Sequence, residues 1–349
     1  IERVKSLGGG TVRLLAGRYE LRNSVRLRRG VRLEGVGEDT HLVKAPEVCS
    51  DLVEDSDWYE DVVRVRDAAG FQVGDGLVLQ GEPPHGGPAG LHKVKRTITA
   101  IEGNCLYLNE TTTKNYWGLT HASTASTLFP LLWGEQDDRL EVANLRLDGN
   151  KQSNGLLDGN HAGCIFLQWV EGATFERVIA HDSHGDGISW QVAHDVHVLD
   201  CHLHDNANLG LHPGSGSQRP VMRGNHVHHN GLGLFFCWGV KHGVAEDNAL
   251  RDNRDYGVSI GHRDTDNLIR RNQIERNGKA GVYYRPEQPA ERLPHRNVWE
   301  GNLIANNGEA GEGYGMWLRD AVAGTVIRGN EFVGGQVGIR IDAEVLDVT

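Results

Sequence analysis

Apolar positions in the second half of the chain recur at a nearly fixed interval. Segments opening Cys164-Ile-Phe-Leu, Gly187-Ile-Ser-Trp, Gly210-Leu-His-Pro, Gly233-Leu-Phe-Phe, Gly257-Val-Ser-Ile, Gly281-Val-Tyr-Tyr, Gly315-Met-Trp-Leu and Gly338-Ile-Arg-Ile lie 23, 23, 23, 24, 24, 34 and 23 residues apart. Each starts on a small residue and then alternates, the period of two that marks a strand. A coil this short cannot bury its apolar face alone. Stacked on its neighbours at about 4.8 Å, it closes a continuous core. The pattern predicts an all-β chain folded as a right-handed parallel β-helix with coils of about 23 residues. The interval of 34 predicts an inserted loop near Gln288–Pro294 or Glu309–Gly313.

A second register runs beside the first. Asn206, Asn230, Asn253, Asn277 and Asn307 precede the strand segments, and Asn225, Asn248, Asn272, Asn302 and Asn330 recur a few residues earlier. An amide carries a donor and an acceptor, so one Asn per coil at fixed phase suits a stacked ladder; Asn is also a turn former. Short strands with glycine turns at Gly8–Leu21 and Val31–Gly37 predict an N-terminal cap and first coils over 1–50. The period fails over 51–122, where Val73–Leu79 and Arg96–Leu108 read as hairpins of an inserted β subdomain. It resumes over 123–349.

Gly8–Tyr19 resembles the opening coil of pectate-lyase-like proteins. The Asn-Xaa-Xaa-Xaa-Gly coils resemble the right-handed β-helix group that includes polysaccharide lyases, polygalacturonases and mannuronan C5-epimerases. That resemblance implies a carbohydrate-active protein and says little about chemistry, because one fold hosts many reactions. Polygalacturonases place catalytic Asp residues on this strand face. Here Asp186-Gly187-Ile-Ser189 keeps the Asp-Gly but has Ser where the next Asp would fall. Epimerases carry a Tyr-Gly-Phe-Asp-Pro-His stretch; here Leu209-Gly-Leu-His212-Pro213 has His in place of that Asp. Neither activity transfers, but His212 marks the place where such folds react.

The third residue of each segment should face outward: Phe166, Ser189, His212, Phe235, Ser259, Tyr283, Trp317 and Arg340. Aromatic residues there suit a sugar-stacking groove, or lateral packing beneath a covering loop. The following turn carries Gln191, His194 and Asp195, then Trp238 and Lys241, then His262, Arg263 and Asp264, then Arg285 and Glu287. Stacking is expected to bring these together as a cationic column. His212, Lys241, Arg263, Asp264, Glu287, His194 and Asp195 are the candidate catalytic residues. Gln191, Trp238, His262, Tyr283, Arg285, Trp317 and Arg319 are the candidate substrate-binding residues.

The formal net charge of -11 argues against nucleic acid or an anionic membrane as the main partner. A cationic column on such a chain suits a carboxylate or sulfate on a polysaccharide. Five cysteines without CxxC spacing argue against a zinc knuckle or a disulfide framework. Twelve of the 18 histidines lie between His161 and His242. His202/His204 and His226/His228/His229 occupy another turn, where alternate positions are expected to face opposite sides, so no metal is assigned. A calcium ion would need clustered carboxylates, for which Asp182/Asp186 and Asp252/Asp255 are the candidates. The chain opens on Ile1 without Met, so its true start is out of view and a secretory leader cannot be read from it; a secreted or periplasmic protein is expected. No oligomeric state is legible.

Three functions compete. The first is a lyase or epimerase on a uronate polymer, with His212 as base and Lys241 or Arg263 neutralising the carboxylate. The second is a glycoside hydrolase using a carboxylate pair such as Asp264 and Glu287. The third is a non-catalytic carbohydrate-binding solenoid.

Overall fold

The structure is a computed structural model that describes residues 1–83, 91–308, 313–319 and 323–342. Its body is a parallel β-helix with three faces. A typical coil runs Leu209–Pro213 on face three, a long turn, Val221–Arg223 on face one, a short corner, His226–His228 on face two, and a second short corner before Leu232–Phe235. Face three stacks ten parallel strands, from Val25–Arg26 to Val337–Ile341. Faces one and two merge in one 18-stranded sheet, because strands such as Leu140–Asp148 and Glu171–His181 run across both. The short helix Glu2–Ser6 sits by the first coil, with Ile1 packed on the core.

Alternation explains the core. On face three, Ile165, Leu167, Ile188, Trp190, Leu211, Leu234, Val258, Val282 and Met316 point inward, and on face two so do Leu203, Val227 and Leu250. At each short corner one residue takes a left-handed backbone, as at Asp200, Asp247, Arg271 and Gly301, and the next residue is the ladder Asn or its equivalent. The turn and the amide are thus separate devices. Asn225 donates from Nδ2 to Asn248 Oδ1 at 2.9 Å, Asn248 to Asn272 at 2.8 Å, Asn272 to Asn302 at 2.9 Å and Asn302 to Asn330 at 2.8 Å. Asn206 to Asn307 form a second ladder of the same kind. Corner residues pair across coils as well, Arg271 with Asp247 and Arg276 with Asp252.

The interval of 34 holds two additions. One carries the short helical turn Ala290–Arg292. The other, at 309–312, lies outside the described residues. The inserted subdomain is a six-stranded sheet with antiparallel pairings, starting at Cys49–Asp51, closing at Thr124–Ser126, and built around the hairpin of His92–Glu102 with Cys105–Leu108. It has its own core, including Leu77, Leu79, Ile98 and Leu106. All five cysteines are free thiols, and Cys164 and Cys201 lie in the helix core.

Candidate functional site

The expected outward column exists. Arg26, Trp133, Phe166, Ser189 and His212 are in register on successive face-three strands, and Phe235, Ser259, Tyr283, Trp317 and Arg340 continue it. Its middle is covered. The loop 154–163 crosses Ser189 and His212: Ser189 Oγ and Gln191 Nε2 both donate to Gly159 O. Lys44 Nζ, buried, donates to Thr127 O and Asn154 Oδ1, and Glu47 accepts from Gly155 N, which anchors the start of the loop. Only glycine fits at 159, where a Cβ would meet Asp186 Oδ2 at 1.8 Å and His212 Nδ1 at 2.6 Å.

His212 is therefore not an open base. It is 4% exposed, and its Nδ1 bonds Asp186 Oδ2 at 2.8 Å while Asp186 Oδ1 accepts from Leu209 N. Burial works against the imidazolium, but the Asp186 carboxylate and the Cys237 thiol outweigh it and push the His212 pKa up to about 9. A ring protonated at neutral pH does not accept a substrate proton.

The other expected residues separate into distinct settings. His194, Gln218, Lys241 and Thr265 form a column at the entry to face one, away from the strand that holds His212. Asp195 is held in a bidentate pair by Arg219 at 2.8 and 2.7 Å, the same corner device seen at Asp247. Arg263 is exposed in the long turn. Asp264 is fully buried, accepting from Gly239 N, Val240 N, Gly261 N and Arg285 Nη2. Burial pushes its pKa up to about 6 against those partners. Glu287 instead meets His262 at 3.1 Å. The two carboxylates do not form a pair flanking a sugar, because one is sealed within a turn as its hydrogen-bond hub. Gln191 is likewise buried, bridging Gly159 and Ser215.

Two groups of expected binding residues do assemble. Trp238, 59% exposed, stacks on His262 at 4.6 Å, with Glu287 behind it. Tyr283 stacks on Tyr256 at 4.3 Å and contacts Trp317, while Arg319 reaches the Tyr283 hydroxyl at 3.3 Å. Arg285 lies over Phe235 and donates to Ser259 Oγ, so it fills the column between these groups. The carboxylates suggested for calcium are each engaged elsewhere: Asp182 with Lys151 and His181, Asp186 with His212, Asp252 with Arg276, and Asp255 with Lys279.

A large concave feature lies outside the column that the repeat predicts. A cleft of about 730 Å³ opens between the inserted hairpin and the first coils of face three. Six basic residues line it (Arg26, Arg28, Lys93, Lys95, Arg96 and Lys114) against the carboxylates Glu110 and Glu135. Trp133 lies in its wall, with the Arg26 guanidinium 3.7 Å from the ring centroid and Lys95 Nζ at 4.2 Å. Lys95 Nζ also sits 4.0 Å from the Phe166 ring and donates to His161 O at 3.0 Å. Burial, with the Arg26 charge adding to it and Glu135 opposing, lowers its pKa to about 7. Asn160 and His161 bring the covering loop to the cleft edge, where Lys93 pairs with Asp158. The available signal was the alternation Lys93-Val-Lys95 on a strand outside the repeat, and Trp133 one coil before Phe166 in the aligned column.

The family described as "Right handed beta helix region" matches residues 163–332. The mannuronan C-5 epimerase AlgE4 A-module of Azotobacter vinelandii is 15% identical in sequence, with 100% of this chain and 93% of that chain covered and a TM-score of 0.54. The AlgE6 A-module from the same organism is 14% identical, with coverage of 100% and 92% and a TM-score of 0.51. No curated protein matches in sequence. The fold is a right-handed parallel β-helix, as the repeat predicts. At these identities the likeness speaks for fold alone.

Proposed function

We propose that the chain is an enzyme acting on an acidic, uronate-containing polysaccharide by taking the proton beside the carboxylate, with β-elimination or C5 epimerisation as the outcome. The observation that carries this is the cleft: five cations besides Lys95, and two tryptophans, on a chain of net charge -11. Such a site attracts a polyanion and offers a ring for the apolar face of a sugar. Lys95, rather than His212, is the base. An amine with a pKa of about 7 is substantially neutral at neutral pH, the form that accepts a proton. Arg26, beside it on Trp133, is placed to hold the substrate carboxylate and the charge that develops there. The proton moves from C5 to Lys95 Nζ; in elimination the freed electron pair forms C4=C5 as the C4–O4 bond breaks and the leaving O4 takes a proton from His161 or water, and in epimerisation C5 instead takes a proton from His161 or water on its other face. His161 lines the same cleft and is a second proton carrier.

The two epimerase A-modules named above share the fold, and their reaction is of the type the cleft groups can perform. The carboxylate-pair hydrolase draws no support from Asp264 and Glu287. The Tyr283–Trp317 group supports a second, weaker contact with the polymer. A polymer of this kind is extracellular, which fits a secreted or periplasmic enzyme. The test is incubation with a panel of uronate polymers, reading unsaturated-sugar ultraviolet absorbance and solvent deuterium at C5. Activity on one polymer, lost in K95M, is expected. Inactivity across the panel, or full activity in K95M, overturns the reading.

A further inference from the structure

On face two, His202 and His204 point the same way, their rings 4.4 Å apart, as residues two apart on a strand do; this corrects the expectation of opposed sides. The His204 and His228 rings stack nearly parallel at 5.3 Å, so their lone pairs do not converge on one ion. The turn after face three has a different feature. Backbone bonds run from Trp169 N to Gln191 O, Val192 N to Ser215 O, Gly216 N to Trp238 O and Gly239 N to His262 O, which stacks these turns coil on coil. Trp169, Val192, Gly216 and Gly239 hold a left-handed backbone there, at φ of 52°, 49°, 70° and 85°. Glycine takes that conformation freely, whereas a bulky or β-branched residue is strained in it. Among the described residues, the other non-glycine left-handed positions are mostly Asp, Asn, Arg and His; Trp169, Val192 and Trp238 are the large apolar ones. All three are exposed, at 48%, 40% and 59%. Neither turn geometry nor core packing calls for a large apolar side chain at these places.

We propose that these side chains form a track for the uronate polymer, leading out of the cleft along the turn edge as far as Trp238, so that long chains are held better than short ones. The track rests on the function proposed above and extends its site. Trp169 lines the cleft itself, with Gln168. The loop 154–163 roofs the strand face at Ser189 and His212, so a polymer leaving the cleft cannot follow that face past them. The turn edge beside it is open at Val192 and at Ser215-Gly216, where no bulky side chain stands. Trp238 lies three coils on from Trp169, about 14 Å away. It backs one ring face onto His262 at 4.6 Å and gives the rest of its surface to solvent. His262 is in turn fixed by Glu287 Oε2 at 3.1 Å. Charge matches the occupant. Lys241 and Arg263 lie in the two turns that hold Trp238 and His262, and among the described residues neither makes an ion pair. An indole takes the apolar face of a sugar ring while Lys241 and Arg263 meet the carboxylates.

The test is calorimetric binding of mannuronan and of polygalacturonate, each as polymer and as its trisaccharide, to the parent, W169N, W238N and the double variant K241M/R263M. Asn accepts a left-handed backbone, so the single variants keep the turn and lose the ring. Thermal unfolding checks this, and K241M/R263M decides if W238N does not fold. The parent should bind one polymer at least about tenfold more tightly than its trisaccharide. W238N should lose about tenfold in polymer affinity and nothing in trisaccharide affinity, and W169N, at the cleft, should weaken both. K241M/R263M should weaken polymer binding and flatten its salt dependence. Turnover by K95M separates this proposal from the function it rests on. An active K95M removes the assigned base and leaves the track standing, whereas unchanged polymer affinity in W238N or in K241M/R263M overturns the track and leaves the base. Equal affinity for polymer and trisaccharide, or no binding of either polymer by the parent, also overturns the track.

Discussion

Lys95→Met should make the protein more stable and inactive at once. Burial lowers the Lys95 pKa from 10.5 to about 7. At about 1.4 kcal/mol per pH unit, keeping the charged amine in the fold costs about 5 kcal/mol below pH 7. The Trp133 and Phe166 rings return about 1 kcal/mol each through cation–π attraction. Losing the bond to His161 O gives back about 1 kcal/mol more. K95M should therefore be stabilised by about 2 kcal/mol at pH 6–7. The sign follows from linkage: the folded pKa lies below the unfolded one, so the wild type loses stability as pH falls from 10.5 to 7. The advantage of K95M should fade as pH rises through that window. Urea unfolding of both proteins at several pH values measures it. A K95M protein less stable than the parent at pH 7, or a difference independent of pH, refutes the reasoning.

Other sites give sharper or simpler readings. Asn248 exchanges four hydrogen bonds, with Asn225 N, Asn225 Nδ2, Asn272 Oδ1 and Met222 O. N248A should lose roughly 4 kcal/mol in denaturant unfolding, at about 1 kcal/mol per bond, whereas N330A, whose four side-chain bonds lie at the partly exposed end of the ladder where water can replace them, should lose less. The His212 pKa is raised to about 9, so its pairing with Asp186 stabilises the fold fully below pH 6.5 and fades as pH rises through 9. H212Q should close its stability deficit over that range, as pH-dependent melting would show. Gly159→Ala forces the covering loop off Asp186 and His212, so amide exchange over 155–163 should speed up, and because Asp158 and His161 of the same loop hold Lys93 and Lys95, polymer binding should weaken with it. W133A should weaken polymer binding about tenfold in affinity electrophoresis, a stacking loss of about 1–2 kcal/mol, and added salt should weaken the parent's binding further.

The solenoid was legible because its evidence is local and repeated. Small residue, alternation, Asn and corner recur each 23 or 24 residues over most coils, and the face-three register from Cys164 to Gly281 follows from that count. The outward column from Phe166 to Arg340 was legible for the same reason. What lies over the column was not. Nothing in the spacing of Gly155, Gly159 and Gly163 says that this loop folds across His212, nor that a Gly carbonyl would take the Ser189 hydroxyl. Asp195 and Asp264 looked catalytic because charge at a turn reads the same whether it faces a substrate, an Arg on the next coil, or three backbone amides. Lys95 escaped notice because its meaning depends on docking the inserted hairpin onto Trp133 and Phe166, a contact between segments 38 and 71 residues apart in sequence.

The central claim is that Lys95 takes a proton from a uronate in the cleft. The most direct measurement is solvent deuterium at C5, alongside unsaturated product, for the parent and K95M on the polymer each binds. With Lys95 as the base, the parent gives deuterium or unsaturation, rising with pH through about 7, and K95M gives neither despite retained binding and a stable fold. C5 exchange or elimination that persists in K95M with the same pH profile would contradict it.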